Sequence, residues 1–161
     1  MAVEIERKYL LLSDAWRAQV QRSQAMRQGY ITDAPGRASV RVRIEGARAT
    51  LNIKAAVAGM ARAEYEYEIP LADAEEMFRT LCGARIDKTR HYVEHTGLIW
   101  EIDEFAGDNA GLVVAEVELA SVDEKISLPV WAGREVTDLR RYYNHHLATH
   151  PYCTWPDADR N

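Results

Sequence analysis

Alternation of charged and apolar residues, repeated along most of the chain, is the feature that most limits what this sequence can fold into. A β-strand sends successive side chains to opposite faces, so alternation marks strands whose two faces meet different surroundings. In Val3 to Tyr9, Glu4, Glu6 and Lys8 share one face while Val3 and Ile5 share the other. Ser39, Arg41, Arg43 and Glu45 alternate with Val40, Val42 and Ile44 and end at a turn signal, Glu45-Gly46. Thr50, Asn52 and Lys54 oppose Leu51 and Ile53, and Arg62, Glu64, Glu66 and Glu68 oppose Tyr65, Tyr67 and Ile69. Lys88 with Arg90, Glu101 and Asp103 around Ile102, and Glu116 and Glu118 around Val117 follow the same rule. With the segment around Gln28, Gly29 and Tyr30, eight strands are predicted.

Helices are fewer. Ser13 or Asp14 can cap a short helix carrying Trp16 and Val20, and Asp73 with Glu76 forms a capping-box pattern ahead of Met77, Phe78 and Leu81, ending at Gly83. Ser121 and Glu124 suggest a short helical piece before Pro129, and a last helix is expected from about Asp138, with Leu139, Tyr142, Tyr143 and Leu147 at helical spacing. The fold class is therefore mostly β (α+β), with one domain expected over residues 1–150 and a tail over 151–161.

Within the polar parity the charges are sorted by strand. Acidic pairs occupy the strands of Glu4/Glu6, Glu64/Glu66, Glu101/Asp103 and Glu116/Glu118, whereas Arg41/Arg43, Lys54 and Lys88/Arg90 occupy others. A merely solvated sheet face carries a mixture without such sorting. If the strands close with these faces inward, the lumen cannot be a dry core, because unpaired buried charges cost several kcal/mol each. At 161 residues the chain has room for a full core, and its net charge of -5 argues against a duplex-coating nucleic-acid binder. No apolar run approaches the ~20 residues needed to span a bilayer, and charged residues stand where a signal peptide needs its apolar core. A cytoplasmic protein is expected, without a membrane or nucleic-acid partner. Cys82 and Cys153, far apart, are expected to be reduced thiols.

Carboxylates two residues apart on one strand point the same way, and facing pairs supply oxygen ligands to a hard divalent cation, with phosphate oxygens as natural co-ligands. Arg and Lys on neighbouring strands would neutralise the remaining phosphate charge. Together these residues describe a metal-polyphosphate site. The plainer alternative is an exposed face of cross-strand ion pairs, each giving only about 0.2 to 1 kcal/mol.

The ordered segments Glu4-Ile5-Glu6-Arg7-Lys8, Gln28-Gly29-Tyr30, Val40-Arg41-Val42-Arg43, Leu51-Asn52-Ile53-Lys54, Glu64-Tyr65-Glu66, Lys88-Thr89-Arg90, Trp100 to Phe105, Ala115-Glu116-Val117-Glu118, Glu135-Val136-Thr137 and Arg141-Tyr142-Tyr143-Asn144 carry a resemblance over nearly the whole chain. The chain resembles the CYTH superfamily, the triphosphate tunnel metalloenzymes, and most of all its short bacterial inorganic triphosphatases. The resemblance implies an eight-stranded antiparallel β-barrel tunnel with a few flanking helices. It also implies metal-dependent hydrolysis of inorganic triphosphate to pyrophosphate and phosphate. Lys8, Arg41, Arg43, Lys54 and Arg90, with Arg62 a further member, look like the phosphate-binding wall. Glu4, Glu6, Glu116 and Glu118, joined by Asp103, look like the carboxylates for Mg2+ or Mn2+. Lys88 falls where short triphosphatases carry a lysine suited to the leaving pyrophosphate, and Tyr30 is a candidate for orienting a phosphate or the attacking water. A homodimer is implied by the family alone.

Three other functions use the same tunnel residues: a class IV adenylyl cyclase, a thiamine or nucleoside triphosphatase, and a non-catalytic polyphosphate-binding module. The cyclase branch usually carries residues ahead of its Glu-x-Glu-x-Lys, where this sequence has only Met1, Ala2 and Val3. Two complete carboxylate pairs argue against a pure anion binder. Some residues have plainer roles: Glu64, Glu66 and Glu101 as counter-charges, Trp16, Trp100 and Trp131 as packing groups, and the final helix as a closure for one side of the barrel. His91 with His95, or His146 with His150, shows no third ligand for zinc.

Overall fold

The computed structural model describes residues 3–32 and 36–160. Among them are nine strands: β1 (Val3–Leu11), β2 (Val20–Tyr30), β3 (Ala38–Glu45), β4 (Arg48–Ala55), β5 (Ala61–Ile69), β6 (Arg85–His95), β7 (Leu98–Phe105), β8 (Val113–Glu118) and β9 (Ala132–Glu135). The order β5-β4-β3-β2-β6-β7-β8-β1 closes on itself because β1 also pairs antiparallel with β5. One edge of β1 runs along β8, while its other edge gives Val3 to Ile5 to β5 and Tyr9 and Leu11 to β9. The predicted eight-stranded antiparallel barrel is therefore present, with β9 as a short ninth strand that alternation did not mark. Closure joins β1 to β5 over Val3–Ile5 and Ala61–Ala63, while residues 64–69 of β5 pair with β4 on one side alone among the described residues.

Apolar parity points outward and is covered in three places. Tyr9, Val93, Trp100, Ile102, Ala115 and Val117 pack beneath Trp16 and Trp131, all three tryptophans being essentially inaccessible. Val42, Ile44 and Ala49 lie under Ala74 and Phe78 of helix α1 (Leu71–Thr80). The end of α1 comes so close to β2 that a Cβ on Gly29 would meet Cys82 Cβ and Sγ at 2.7 Å, which explains a glycine there. Leu10, Tyr30, Ile86 and Val114 pack against Tyr142, Leu147, Tyr152 and Trp155, so the chain beyond Pro151 is docked into the core through two aromatic rings.

The helices depart from their expected forms for local reasons. Trp16 sits in a single 3-10 turn, Ala15–Gln19, and Val20 already opens β2. Helix α1 begins two residues before Asp73, directly after Pro70, and makes no side-chain cap. Asp73 instead occupies the first turn, where its charge suits the helix dipole. Ser121 to Glu124 form a turn and no helix: Glu124 N donates to Ser121 O at 3.2 Å, and Glu124 Oε2 accepts from Ala120 N at 2.6 Å. The last helix is broken into a 3-10 turn, Arg140–Tyr142, and helix α2 (Asn144–Thr149). Tyr143 between them is extended, with φ -76° and ψ 138°. Among the described residues no helix is long and apolar enough to cross a membrane.

Candidate active site

The charged parity of the barrel strands lines a cavity of about 870 Å³. Every candidate residue borders it except Asp103, which is fully buried in the wall behind. The register explains the clustering. Lys8 lies opposite Glu116, Glu6 opposite Glu118, and Glu101 opposite Glu116. Lys54 lies opposite Glu64, and Arg90 opposite Asp103. Like charges placed directly across strands are destabilising, so two acid-acid registers mark a wall that needs cations in front of it.

In this structure Lys and Arg side chains supply those cations. Lys8 Nζ donates to Glu116 Oε1 at 2.5 Å and lies 3.1 Å from Glu6 Oε1. Arg62 Nη2 donates to the same Glu6 oxygen at 2.6 Å. Lys54 pairs with Glu4 and stands 3.3 Å from Glu64 and 3.6 Å from Glu6. Arg90 grips Asp103 with two hydrogen bonds at 2.7 and 2.8 Å, reaches Glu116 at 3.2 Å, and also pairs with Glu101. Arg43 is held by Glu66 at 2.8 Å and Glu45 at 2.7 Å, and Arg41 by Gln28 Oε1 at 3.0 Å. Glu64, Glu66 and Glu101 are thus the counter-charges their parity suggested. Glu118 reaches the cavity and has no ion-pair partner among the described residues.

The pairs reshape ionisation. Burial and the neighbouring Glu6 charge push Glu4 up to about 7 despite Lys54, whereas Glu64 falls to about 2. Burial opposes that fall but is outweighed by a hydrogen bond from Glu4 and by the charges of Lys54 and Arg41. Of the two carboxyls, Glu4 is therefore the one that takes up a proton more readily. Burial works against ionising Glu116, yet Lys8 and Arg90 hold it well below the carboxylate range. Burial lowers Lys88 to about 8, with Asp103 resisting.

Lys88 Nζ donates to Asp103 Oδ2 at 2.5 Å and to Asn144 Oδ1 at 3.1 Å. Tyr30 is buried with its ring 4.8 Å from His145, edge-on, and beside the Arg41 guanidinium. The C-terminal segment therefore enters the site through Tyr143, Asn144 and His145, a contribution the helical-spacing argument did not reach. Tyr143 lies 4.7 Å from Arg62 and 5.8 Å from Lys8 across its ring. The helix expected there breaks where this ring turns toward the cations. Of the histidine pairs, His91, on a strand, meets Ser23 Oγ at 2.7 Å, and His146, at the cavity wall, stacks on His150 with ring centroids 4.5 Å apart.

The buried Nε groups of Arg41 and Arg62 have no hydrogen-bond acceptor among the described residues. Such orphaned cationic donors suit phosphate oxygens. The candidate metal donors Glu4, Glu6, Glu116 and Glu118 are all oxygen ligands facing one lumen, a set that fits a hard divalent ion. As the side chains stand, no three His, Cys, Asp or Glu groups among the described residues converge on a metal position, because ammonium and guanidinium groups hold the carboxylate oxygens.

A family model described as the CYTH domain matches residues 2–148, and the chain belongs to that family. It is 41% identical over 153 residues to an inorganic triphosphatase of Acetivibrio thermocellus, covering 94% of this chain and 97% of that protein. It is 35% identical over 150 residues to an inorganic triphosphatase of Nitrosomonas europaea, covering 90% and 96%. The crystal structure of the inorganic triphosphatase NE1496 aligns with a TM-score of 0.67 at 32% identity, over 92% of this chain and 95% of that one.

Proposed function

We propose that the barrel hydrolyses inorganic triphosphate to pyrophosphate and phosphate within the charged lumen, with a divalent metal, Mg2+ or Mn2+. The observation that carries this reading is the combination of acid-acid registers, Glu6 with Glu118 and Glu101 with Glu116, with seven candidate cations, Lys8, Arg41, Arg43, Lys54, Arg62, Lys88 and Arg90, in one cavity. A multivalent cation bound together with a polyanion satisfies both at once, since it neutralises the carboxylates while the polyanion takes the Lys and Arg groups. The small-molecule partner is therefore a triphosphate. Two free cysteines, Cys82 and Cys153, suit a reducing, cytoplasmic setting.

In the mechanism, Lys8, Arg41, Arg43, Lys54, Arg62 and Arg90 turn from their present partners toward phosphate oxygens, the two orphaned Nε groups gaining acceptors. Glu64, Glu66, Glu101 and Asp103 stay as counter-charges that keep each cation in the wall. Glu4, Glu6, Glu116 and Glu118 would hold the metal, which when bound supplies charge neutralisation of the phosphates and a more acidic water. Tyr30, beside Arg41, orients a terminal phosphate. Lys88 holds its proton at Nζ toward the lumen and neutralises the leaving pyrophosphate. Catalysis then comes mainly from positioning and charge stabilisation, as phosphoryl transfer requires.

The test is phosphate release from inorganic triphosphate, ATP and thiamine triphosphate side by side, with Mg2+, Mn2+ or chelator, and with chromatography for cyclic AMP. Metal-dependent release from inorganic triphosphate with little from the organic esters is expected. Cyclic AMP with pyrophosphate from ATP, or no turnover at all, would overturn the reading.

A further inference from the structure

We propose that Asn144 is a positioning residue that acts through Lys88, aiming the lysine ammonium into the lumen; the inference rests on the triphosphatase reading above. Lys88 has a side chain only 1% exposed, and an ammonium group has three hydrogen-bond donors. One goes to Asp103 Oδ2 at 2.5 Å and a second to Asn144 Oδ1 at 3.1 Å. Asp103 is itself fixed, both oxygens being held by Arg90. With two acceptors set on opposite elements, one on a barrel strand and one on the C-terminal segment, the direction of the third N–H follows.

The two acceptors differ in kind. Asp103 carries a charge, and alone it would draw the ammonium back into the wall. Asn144 offers a neutral oxygen, which orients the group without cancelling the positive charge that a phosphate would meet. This makes an amide the suited partner and a second carboxylate a poorer one.

Asn144 is also held from both sides. Before it, the Tyr143 hydroxyl donates to Thr137 O at 2.7 Å and accepts from Gly59 N at 3.3 Å. After it, Leu147 is fully buried and its carbonyl accepts from Asn109 Nδ2 at 3.4 Å. Asn109 Oδ1 in turn accepts from Tyr152 N at 2.8 Å, which ties the same point to the chain end. A residue serving only to close the barrel would need no acceptor aimed at a buried lysine, whereas this one sits at the start of α2 with its amide on Nζ.

The test is a double-mutant cycle on triphosphate hydrolysis by the full chain with metal. Asn144→Leu, similar in size but lacking the acceptor, is expected to lower kcat about tenfold while KM stays within about twofold. In a Lys88→Met background the same substitution is expected to cost nothing further, since the group it positions is gone. Asn144→Asp, which restores an oxygen, is expected to fall between wild type and Asn144→Leu. Thermal melting of each variant keeps folding separate from turnover. An Asn144→Leu loss that persists undiminished beside Lys88→Met, a loss seen in KM alone, or an Asp variant no better than Leu would overturn the inference while leaving an active triphosphatase. Failure of the wild type to hydrolyse triphosphate would remove the functional reading, and this inference with it.

Discussion

Alternate residues of the same strands build two different interiors. Along β8, Ala115 and Val117 are inaccessible in the aromatic layer outside the barrel, while Glu116 between them is 7% exposed in the lumen. Along β1, Tyr9 joins that layer and Lys8, 3% exposed, joins the ion pairs. Both faces exclude most water, but by opposite energetics. The outer layer gains about 25 cal/mol for each Å² of apolar surface it buries. The lumen must first offset the desolvation of its charges, and such pairs return little net stability. The outer face therefore holds the barrel together and leaves the lumen charges available for exchange with a ligand.

The largest expected effect tests the outer half of this division. Trp100→Ala removes a ring packed on Tyr9 and Trp131, at centroid distances of 5.5 and 5.4 Å. It should cost about 3–5 kcal/mol and lower the melting temperature by roughly 10 °C. Turnover per folded molecule should be unchanged at low temperature, and a specific activity loss there would break the division. Arg43→Ala tests the inner half. Its pairs with Glu45 and Glu66 sit in the wall, so the melting temperature should move by less than about 2 °C. Loss of a charge-assisted contact to phosphate, worth about 1.5–3 kcal/mol, should instead raise KM for triphosphate about tenfold or more.

Smaller still is the effect of chelator on melting. Glu4, Glu6 and Glu116 already have Lys or Arg partners and, of the four candidate metal donors, only Glu118 has none among the described residues, so metal removal should cost less than about 1 kcal/mol. Collapse of the melting transition in chelator would mean that the lumen supports the fold. The smallest effect lies outside both layers, at Arg7 and Glu135, joined by hydrogen bonds of 2.9 and 2.6 Å. A hydrogen bond from Arg7 holds Glu135 below its ordinary 4.5, against a smaller opposing effect of burial. That contribution is present above pH 4.5 and is lost as pH falls through the lower folded value. Glu135→Gln should therefore slightly flatten the acid limb of the stability curve and leave turnover at neutral pH unchanged.

Alternation carried most of the fold because the two faces of each strand differ so sharply in chemistry. It failed where that contrast fades. In β2 the stretch from Gln21 to Gln24 is polar on both faces, so only the end near Gln28 and Tyr30 was marked. β9 has four residues and takes its place from pairing with β1, which no local pattern records. Twelve of the thirteen candidate residues border one cavity because parity and lumen are the same thing in a barrel. Asp103 shares that parity but lies too deep, pinned by Arg90 and Lys88. Asn144, quoted in a motif but given no role in the site, and His145 were missed for another reason. Leu139, Tyr142, Tyr143 and Leu147 read as one helix, and the break at Tyr143 arises from contacts with Lys8, Arg62, Thr137 and Gly59, all distant in sequence.

The central claim is that the lumen carboxylates serve hydrolysis and do not merely balance the cationic wall. The most direct measurement is phosphate release from inorganic triphosphate by the Glu4→Gln, Glu6→Gln double variant with Mg2+ or Mn2+, alongside calorimetric binding of triphosphate in chelator. The account expects a folded protein that binds triphosphate as tightly as before or more tightly, with metal-dependent turnover reduced at least about 100-fold. Turnover close to wild type would contradict it.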